Sequence, residues 1–331
     1  MLKGDPMNLA LWNVYAQLVY KLKGAEEARK IYYKVLSMYH AFPPSHQIGV
    51  SAIYFQLALI EWTSLRSSAV ISCLVAFAEK KPLNSQHLPS IDRINSAKTV
   101  LVEAVFDEFE LFRGKGDAVQ NKHSEEMETL LYLVKNAASL HYFTQDQNGQ
   151  VIVDLYTKAI EFSAPQSLFR ERLYQMQVEL LVLAMKSQFK PVLLRNVLEA
   201  GLIEFPTNTL LLGVYGMTEG KSRLDARMRR FLNDHIHRYL FFLIVESTFN
   251  TFRSPSHILH LFSIWTEIHQ TNSPNPAIIK SRIQSATQSQ PTNPTLWILA
   301  MTYEENPGKQ KQLFYQAIAN CPFSKGKTQF L

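Results

Sequence analysis

The sequence is poor in the residues from which several classes of protein are built. It has two cysteines, Cys73 and Cys321, among 331 residues, which excludes a disulfide framework and a cysteine-based zinc site. Such sparse cysteine is typical of a reducing intracellular compartment. Only 12 glycines are present, too few for a sheet-rich fold with many tight turns. The longest apolar run, 239–245, is far shorter than the roughly 18–20 residues that a membrane-spanning helix needs.

Sequence motifs that carry catalysis are also missing. The Gly-Lys-Gly triplet at 114–116 has neither the spacing nor the preceding strand pattern of a phosphate-binding loop. No Gly-x-Ser-x-Gly nucleophile elbow is present. Cys73 lies in an apolar stretch and is interpreted as a core residue, and Cys321 is interpreted as a packing residue at a helix end. We therefore predict a protein that is not an enzyme and has no cofactor.

Two groups of titratable residues have spacings that a catalytic or metal site could use. His257 and His260 lie three residues apart, with Glu267 and His269 nearby, and could share a metal ion. Their apolar neighbours favour a packing stripe instead. The acidic residues within 103–110 have no histidine beside them, which favours a solvated helix face. The sequence therefore predicts no metal site.

Helical periodicity runs through almost the whole chain. Apolar residues recur three or four positions apart, as they do on one face of a 3.6-residue helix. The clearest stripes begin at Leu9, Ala28, Ile152 and Leu313. No convincing run alternates with a period of two, so we predict an all-α fold. Prolines end the apolar runs, since proline lacks the N–H that a helix interior needs, and the spacing predicts about sixteen helices.

The helix ends repeat, which predicts an array of similar units. Pro-Thr-Asn occurs at 206–208 and again at 291–293, 85 residues apart, a little over two of the 34–45-residue units typical of helical hairpins. A small residue stands five positions before a proline three times, at Gly201 and Pro206, Ala286 and Pro291, and Ala317 and Pro322. We therefore predict one α-solenoid of stacked antiparallel helix pairs over 1–331. The alternative is an irregular helical domain whose prolines coincide by chance.

Several segments resemble half-a-TPR repeats, a TPR-like unit of two helices. The first has Trp12 and Tyr15 three apart, followed by Ala28 and Tyr32; the last has Trp297 and Ala317. The closing string Cys-Pro-Phe-Ser-Lys at 321–325 resembles an element late in the repeats of the nuclear-RNAi-defective family of nuclear exosome regulators. The resemblance is good over three segments and degenerate in identity over 41–150. Those segments are 7–39, 190–230 and 294–325.

This resemblance implies a nuclear protein that acts in RNA processing, in RNA interference and in restraining the nuclear exosome. The partners that it implies are proteins of nuclear RNA surveillance or splicing, among them the exosome-associated RNA helicase. The family contacts this helicase through a segment that precedes the repeats, and we expect that segment to be absent here. We expect the chain to be a fragment or reduced homologue without that contact. Other half-a-TPR proteins, in splicing or 3′-end-processing assemblies, share the aromatic spacing.

A basic segment offers a second kind of function. Residues 221–238 hold six basic and two acidic side chains. The basic residues are Lys221, Arg223, Arg227, Arg229, Arg230 and Arg238. Arginine forks match phosphates and carboxylates, so this strip is a candidate docking site for RNA or an acidic partner. The interpretation that we favour is that the arginines pair with neighbouring repeats. The sequence thus predicts a protein-binding scaffold, with an RNA-binding module and a splicing or 3′-end-processing subunit as alternatives.

Overall fold

A computed structural model describes residues 7–83, 88–114, 124–188, 190–221, 227–234, 236, 256–269 and 275–322. In these ranges every regular element is a helix and none is a strand, which confirms the predicted all-α class. The chain divides into two compact units, 1–197 and 198–331. The predicted single array over 1–331 stays a prediction, and each unit is described separately below.

The first unit contains eight complete α-helices within the described residues. They are α1 (Leu9–Lys23), α2 (Ala25–Met38), α3 (Val50–Thr63), α4 (Ser67–Ala78), α5 (Ile91–Gly114), α6 (Glu125–Thr144), α7 (Gly149–Phe162) and α8 (Leu168–Ala184). Each helix packs against one or more helices adjacent in the chain, such as α1 on α2, α3 on α4 and α7 on α8. A ninth helix, α9 (Pro191–Glu204), crosses the division between the units. The order of packing therefore follows the order of the chain closely.

Helices α3 and α6 form the centre of the first unit. Helix α3 contacts α1, α2, α4 and α6, and α6 contacts α4, α5, α7 and α8 as well. Side chains such as Ile53, Tyr54 and Leu57 are almost completely buried on α3. Helices that are apolar on every side occur in the interior of a protein. Burial of each such aliphatic side chain contributes about 1.5–3 kcal/mol, so these two central helices contribute substantially to the core.

Charged side chains enter this core in pairs. The Nε–H of Arg29 on α2 donates to the Oε1 of Glu61 on α3 at 2.7 Å. The Nη2 of the same guanidinium donates to the hydroxyl of Ser64 at 2.7 Å. Both charged side chains of the pair are nearly inaccessible to water. A buried charge is tolerated when it is paired and hydrogen-bonded, so this contact links α2 to α3.

Short polar residues begin many of the helices. An asparagine or serine stands just before the first turn, and its side-chain oxygen accepts a backbone N–H that has no partner within the helix. This occurs at Asn8, Ser124, Asn148, Ser167, Asn275, Asn293 and Asn306. Proline follows directly at 276, 294 and 307, where its fixed φ suits a first helical turn. These starts are therefore specified by the local sequence.

The second unit contains five further α-helices with defined bounds in the described part of the chain. They are α10 (Thr209–Lys221), α11 (Ser256–His269), α12 (Pro276–Ser289), α13 (Pro294–Tyr303) and α14 (Pro307–Asn320). Residues 227–234 are also helical. Helices α10 and α11, α11 and α12, α12 and α13, and α13 and α14 pack against each other. One hydrophobic cluster joins α11, α12 and α13 through Ile264, Ile279, Ile283, Ala286 and Leu296.

Candidate functional site

The small residue before each repeated proline closes the last turn of a helix. The carbonyl of Gly201 accepts the N–H of Phe205 at 2.7 Å, and that of Ala286 accepts the N–H of Gln290 at 2.9 Å. The N–H of Cys321 reaches the Ala317 carbonyl at 2.9 Å in the same way. Gln290 and Cys321 have nearly identical backbone angles, φ near −132° and ψ near 65°. The spacing seen in the sequence is therefore one helix end used three times.

The Pro-Thr-Asn motif connects one helix end to the next helix start. The side chain of Asn208 accepts the N–H of Leu211 at 3.0 Å. The side chain of Asn293 accepts the N–H of Thr295 at 3.0 Å. In each motif the asparagine N–H also bonds, at 3.1 Å, to the carbonyl of the residue before proline. Both motifs are thus tight turns that join consecutive helices, α9 to α10 and α12 to α13.

The closing signature residues meet in one cluster. The ring Nε1–H of Trp297 donates to the carbonyl of Pro291 at 2.7 Å. The thiol of Cys321 lies 3.2 Å from the same oxygen. Trp297, Ala317 and Cys321 are buried together, with Leu313 packed against them. The turn after α12 is therefore held by side chains from α13 and from the end of α14.

In the first half-a-TPR segment, the signature residues on α2 are buried and Tyr15 on α1 is exposed. Ala28 and Tyr32 are almost inaccessible, and the Tyr32 hydroxyl donates to the side-chain oxygen of Asn13 at 3.1 Å. Tyr15, expected to pack, is 42% exposed and meets the ring of Trp12 edge-on. It lies among other exposed apolar residues of α1, namely Val14, Leu18 and Leu22. Likewise Pro322 is exposed, whereas Gly201 and Pro206 are buried.

A groove lies between α12 and α14, above α13. Its volume is about 590 Å³. Side chains of α12 line one wall and side chains of α14 line the other, while Trp297 and Tyr303 of α13 contribute to the floor. Amide groups dominate the two walls, from Gln284, Gln288, Gln312, Gln316 and Asn320. The repeated helix end at Pro291 lies in the same groove, so the signature residues support its floor.

Charge is sparse in this groove. Lys280 lies 3.8 Å from the carboxylate of Glu304, and Lys309 is the third charged residue of the lining. A hydrogen bond from the Asn306 backbone lowers the pKa of Glu304, and the two lysines lower it further, so it is ionised at neutral pH. The amides therefore provide most of the polar groups that a ligand would meet. Each amide side chain both donates and accepts hydrogen bonds.

Two arginines of the basic strip, Arg227 and Arg229, form ion pairs in the part of the chain that the structure describes. Arg227 donates to Glu199 at 2.8 Å. Arg229 forms a bidentate pair with Glu267, with both N–O distances at 2.8 Å. Arg230 is exposed. Arg223, Arg238 and the side chain of Lys221 lie outside the described residues. At Arg227 and Arg229 the geometry agrees with the favoured interpretation, in which the arginines bind neighbouring helices.

The titratable residues considered as catalytic or metal-binding candidates occupy other environments. Glu267 is bound by two arginines, Arg229 and Arg282. Burial raises the pKa of the Cys73 thiol, which opposes formation of a thiolate nucleophile. The acidic residues at 103, 107, 108 and 110 are exposed on α5. The described ranges hold no cluster of three His, Cys, Asp or Glu side chains that could bind a metal.

Two further observations concern the relation of this chain to known proteins and membranes. No protein-family model matches the chain, and no curated protein matches it. Membership of the nuclear-RNAi-defective family therefore stays a prediction from the sequence. Among the helices whose residues are described, none is both long and apolar enough to cross a membrane.

Proposed function

We propose that the protein is a non-enzymatic scaffold whose helical repeats bind other proteins. The amide-lined groove between α12 and α14 is the observation that carries this proposal. Its two walls come from helices that are not adjacent in the chain, and its floor contains the turn that the sequence repeats. An α-solenoid of stacked antiparallel helix pairs would form such grooves along one side. The packing of consecutive helices on each other supports that architecture.

The groove suits an extended peptide segment. A side-chain amide can accept a hydrogen bond from the N–H groups of an extended backbone and donate one to its C=O groups. The exposed amides of Gln284 and Gln316 project from opposite walls, and the partly exposed Tyr303 on the floor offers apolar surface. Because one ion pair and one further lysine are the charged groups of the lining, this binding depends mainly on hydrogen bonds and apolar contact. The affinity of the groove for a peptide should therefore fall only slightly as the salt concentration rises.

The cellular setting of the proposal comes from the resemblance to nuclear exosome regulators. On the basis of this resemblance, the proposed scaffold acts in the nucleus, in RNA processing and surveillance, and the exosome-associated helicase is among its candidate partners. A subunit of a splicing or 3′-end-processing assembly is the alternative built on the same repeats. Direct RNA binding by the strip at 221–238 is less favoured, since Arg227 and Arg229 already bind carboxylates.

Affinity capture from nuclear extract tests the proposal. The full chain is immobilised, and captured proteins are identified by mass spectrometry for the native chain and for the double variant Gln284→Ala/Gln316→Ala. Both side chains are exposed, so their removal should leave the fold intact. We expect exosome-associated proteins to be captured by the native chain and lost with the double variant. Lys311→Ala, on another face of α14, is the matched control and should keep them.

Other results would redirect or reject the proposal. Capture of splicing or 3′-end-processing subunits with the same dependence on Gln284 and Gln316 would favour the alternative assembly. Binding to RNA that falls steeply between low and high salt would favour phosphate contacts. Identical capture by the native chain and the double variant would reject the groove as the binding surface.

A further inference from the structure

A second cavity lies on a different side of α12 from the amide-lined groove. It has a volume of about 440 Å³ and lies between α11, α12 and the helical residues Asn233 and Ile236. The two openings share no lining residue. Polar side chains dominate the second one. They are Asn233, His260, Ser263, Ser281, Arg282 and Ser285.

Arg282 is the cationic centre of this cavity. Its Nε–H donates to the carboxylate of Glu267 at 3.1 Å. Its Nη1 donates to the side-chain oxygen of Asn233 at 3.1 Å and to the hydroxyl of Ser263. These contacts hold the guanidinium plane in one orientation. Its Nη2 group makes no hydrogen bond to the described residues, so two N–H donors remain for a ligand.

Among the described residues, Arg282 shares its carboxylate partner with a second guanidinium. Glu267 is almost completely buried and also receives the bidentate pair from Arg229, so one carboxylate is divided between two guanidiniums. Burial lowers the pKa of Arg282, Arg229 lowers it further, and Glu267 raises it. A largely buried cation that shares its counter-ion gains free energy when a second anion approaches.

The rest of the lining is suited to an anion. The hydroxyls of Ser281 and Ser285 lie one helical turn apart on the exposed edge of α12. No acidic residue occurs among the described residues of the lining. The apolar part of the lining is aliphatic, from Ile236, Ala277 and Ile278. Hydroxyl and guanidinium donors around one opening can satisfy several oxygens of the same group.

We propose that this cavity binds the phosphoryl group of a phosphorylated side chain on a protein partner. A phosphoryl group carries about −1.5 to −2 charges and three acceptor oxygens, which the two N–H donors of Nη2 and the neighbouring serine hydroxyls can bind together more fully than they can bind a carboxylate. RNA is less suitable because no phenylalanine, tyrosine or tryptophan occurs among the described lining residues to stack on a base. The proposal deepens the scaffold function and rests on it, since the phosphoryl group belongs to a docked protein.

Fluorescence anisotropy with the full chain tests this directly. The probe is a labelled pool of nonapeptides with a fixed central phosphoserine and random flanks. The matched pools have serine or glutamate at the centre, and a labelled oligouridylate is a fourth probe. We expect binding of the phosphoserine pool, on the order of tenfold weaker binding of the other two pools, and competition by inorganic phosphate. Binding of the RNA in competition with the phosphopeptides would overturn the assignment to a protein partner.

Two variants locate the site. Ser281→Asp/Ser285→Asp places two like charges at the opening and should weaken phosphopeptide binding by at least about tenfold. Ala319→Asp adds a negative charge at an exposed position on α14, outside the linings of both cavities, and should change binding less than about twofold. Because both serines are exposed, circular dichroism should be unchanged in both variants. Equal effects of the two variants would overturn the proposed location.

The outcomes also separate this site from the amide-lined groove. If partner capture depends on Gln284 and Gln316 but all three peptide pools bind equally, the phosphoryl site is wrong and the scaffold function stands. If phosphopeptides bind at Ser281 and Ser285 while no partner depends on the groove, the groove is wrong and the phosphoryl site stands. Arg282→Gln, with its folding checked by circular dichroism, should abolish phosphopeptide binding.

Discussion

At the scale of the residue, Glu61 shows how this protein accommodates charge in its interior. Its side chain is 1% exposed, and Arg29, 6% exposed, is its main partner. A more distant contact comes from Arg66, at 3.8 Å. Removing one partner of a buried ion pair strongly destabilises a fold, whereas replacing both partners by apolar side chains is often neutral. The strength of the contact is therefore visible only when one partner is removed.

We expect Arg29→Met to destabilise the fold by about 3–5 kcal/mol, the typical cost of leaving one charge of a buried pair without its partner. Urea unfolding followed by circular dichroism measures this difference. Lys30→Met is the control on the same helix, because Lys30 pairs with Glu27 at the surface. It should leave the free energy of unfolding unchanged. If both variants unfold at the same urea concentration, Arg29 does not stabilise the fold through its ion pair with Glu61.

In the sequence, Arg29 directly follows Ala28 of the first half-a-TPR segment and is not itself among the predicted packing residues. Nothing in its spacing indicates that the arginine is buried. Glu26 and Glu27, which precede it on the same helix, are both exposed. The partner Glu61 lies 32 residues away on another helix. Contacts between distant residues depend on how helices pack, and periodicity within one helix does not contain that information.

At the scale of the element, the small residue five positions before proline has two roles. Its carbonyl closes the last helical turn, and its short side chain leaves room for a neighbouring helix. Ala317 packs on Trp297 from α13 in this way and is almost completely buried. The sequence predicted the repeated helix end, because it follows from the local chemistry of proline.

Ala317→Leu should destabilise the second unit by about 1–3 kcal/mol, since three more carbons must enter a packed cluster. Ala319→Leu is the matched control, two residues along the same helix and exposed. It should change the free energy of unfolding by less than about 0.5 kcal/mol. Denaturation followed by tryptophan fluorescence compares the two. Similar unfolding curves for both variants would show that the small residue at 317 is not required for packing.

At the scale of the whole molecule, each compact unit contains one buried thiol. Cys73 lies in the first unit and Cys321 in the second, and both are free cysteines. Buried thiols react with labelling reagents only when the surrounding structure opens. The rate of labelling at each cysteine therefore measures the local stability of its own unit.

We expect both thiols of the native chain to be labelled slowly and to become reactive in denaturant. Ala317→Leu should accelerate labelling of Cys321, which shares its cluster, and leave the rate at Cys73 unchanged. Mass spectrometry of tryptic peptides after timed alkylation gives both rates. Acceleration at both cysteines would show that the chain opens as one cooperative unit, and rapid labelling of the native chain would contradict the observed burial.

The sequence by itself determined the helical class, the repeated helix ends and the asparagine caps, because apolar period, proline geometry and short polar side chains act within a few residues. Only the tertiary structure decided that Tyr15 is exposed, that Arg229 and Arg282 share Glu267, and that the amides of α12 and α14 face one groove. Those features depend on which helices meet and at what angle. Which helices meet depends on how closely their whole surfaces pack, and residues far apart in the chain contribute to each of those surfaces.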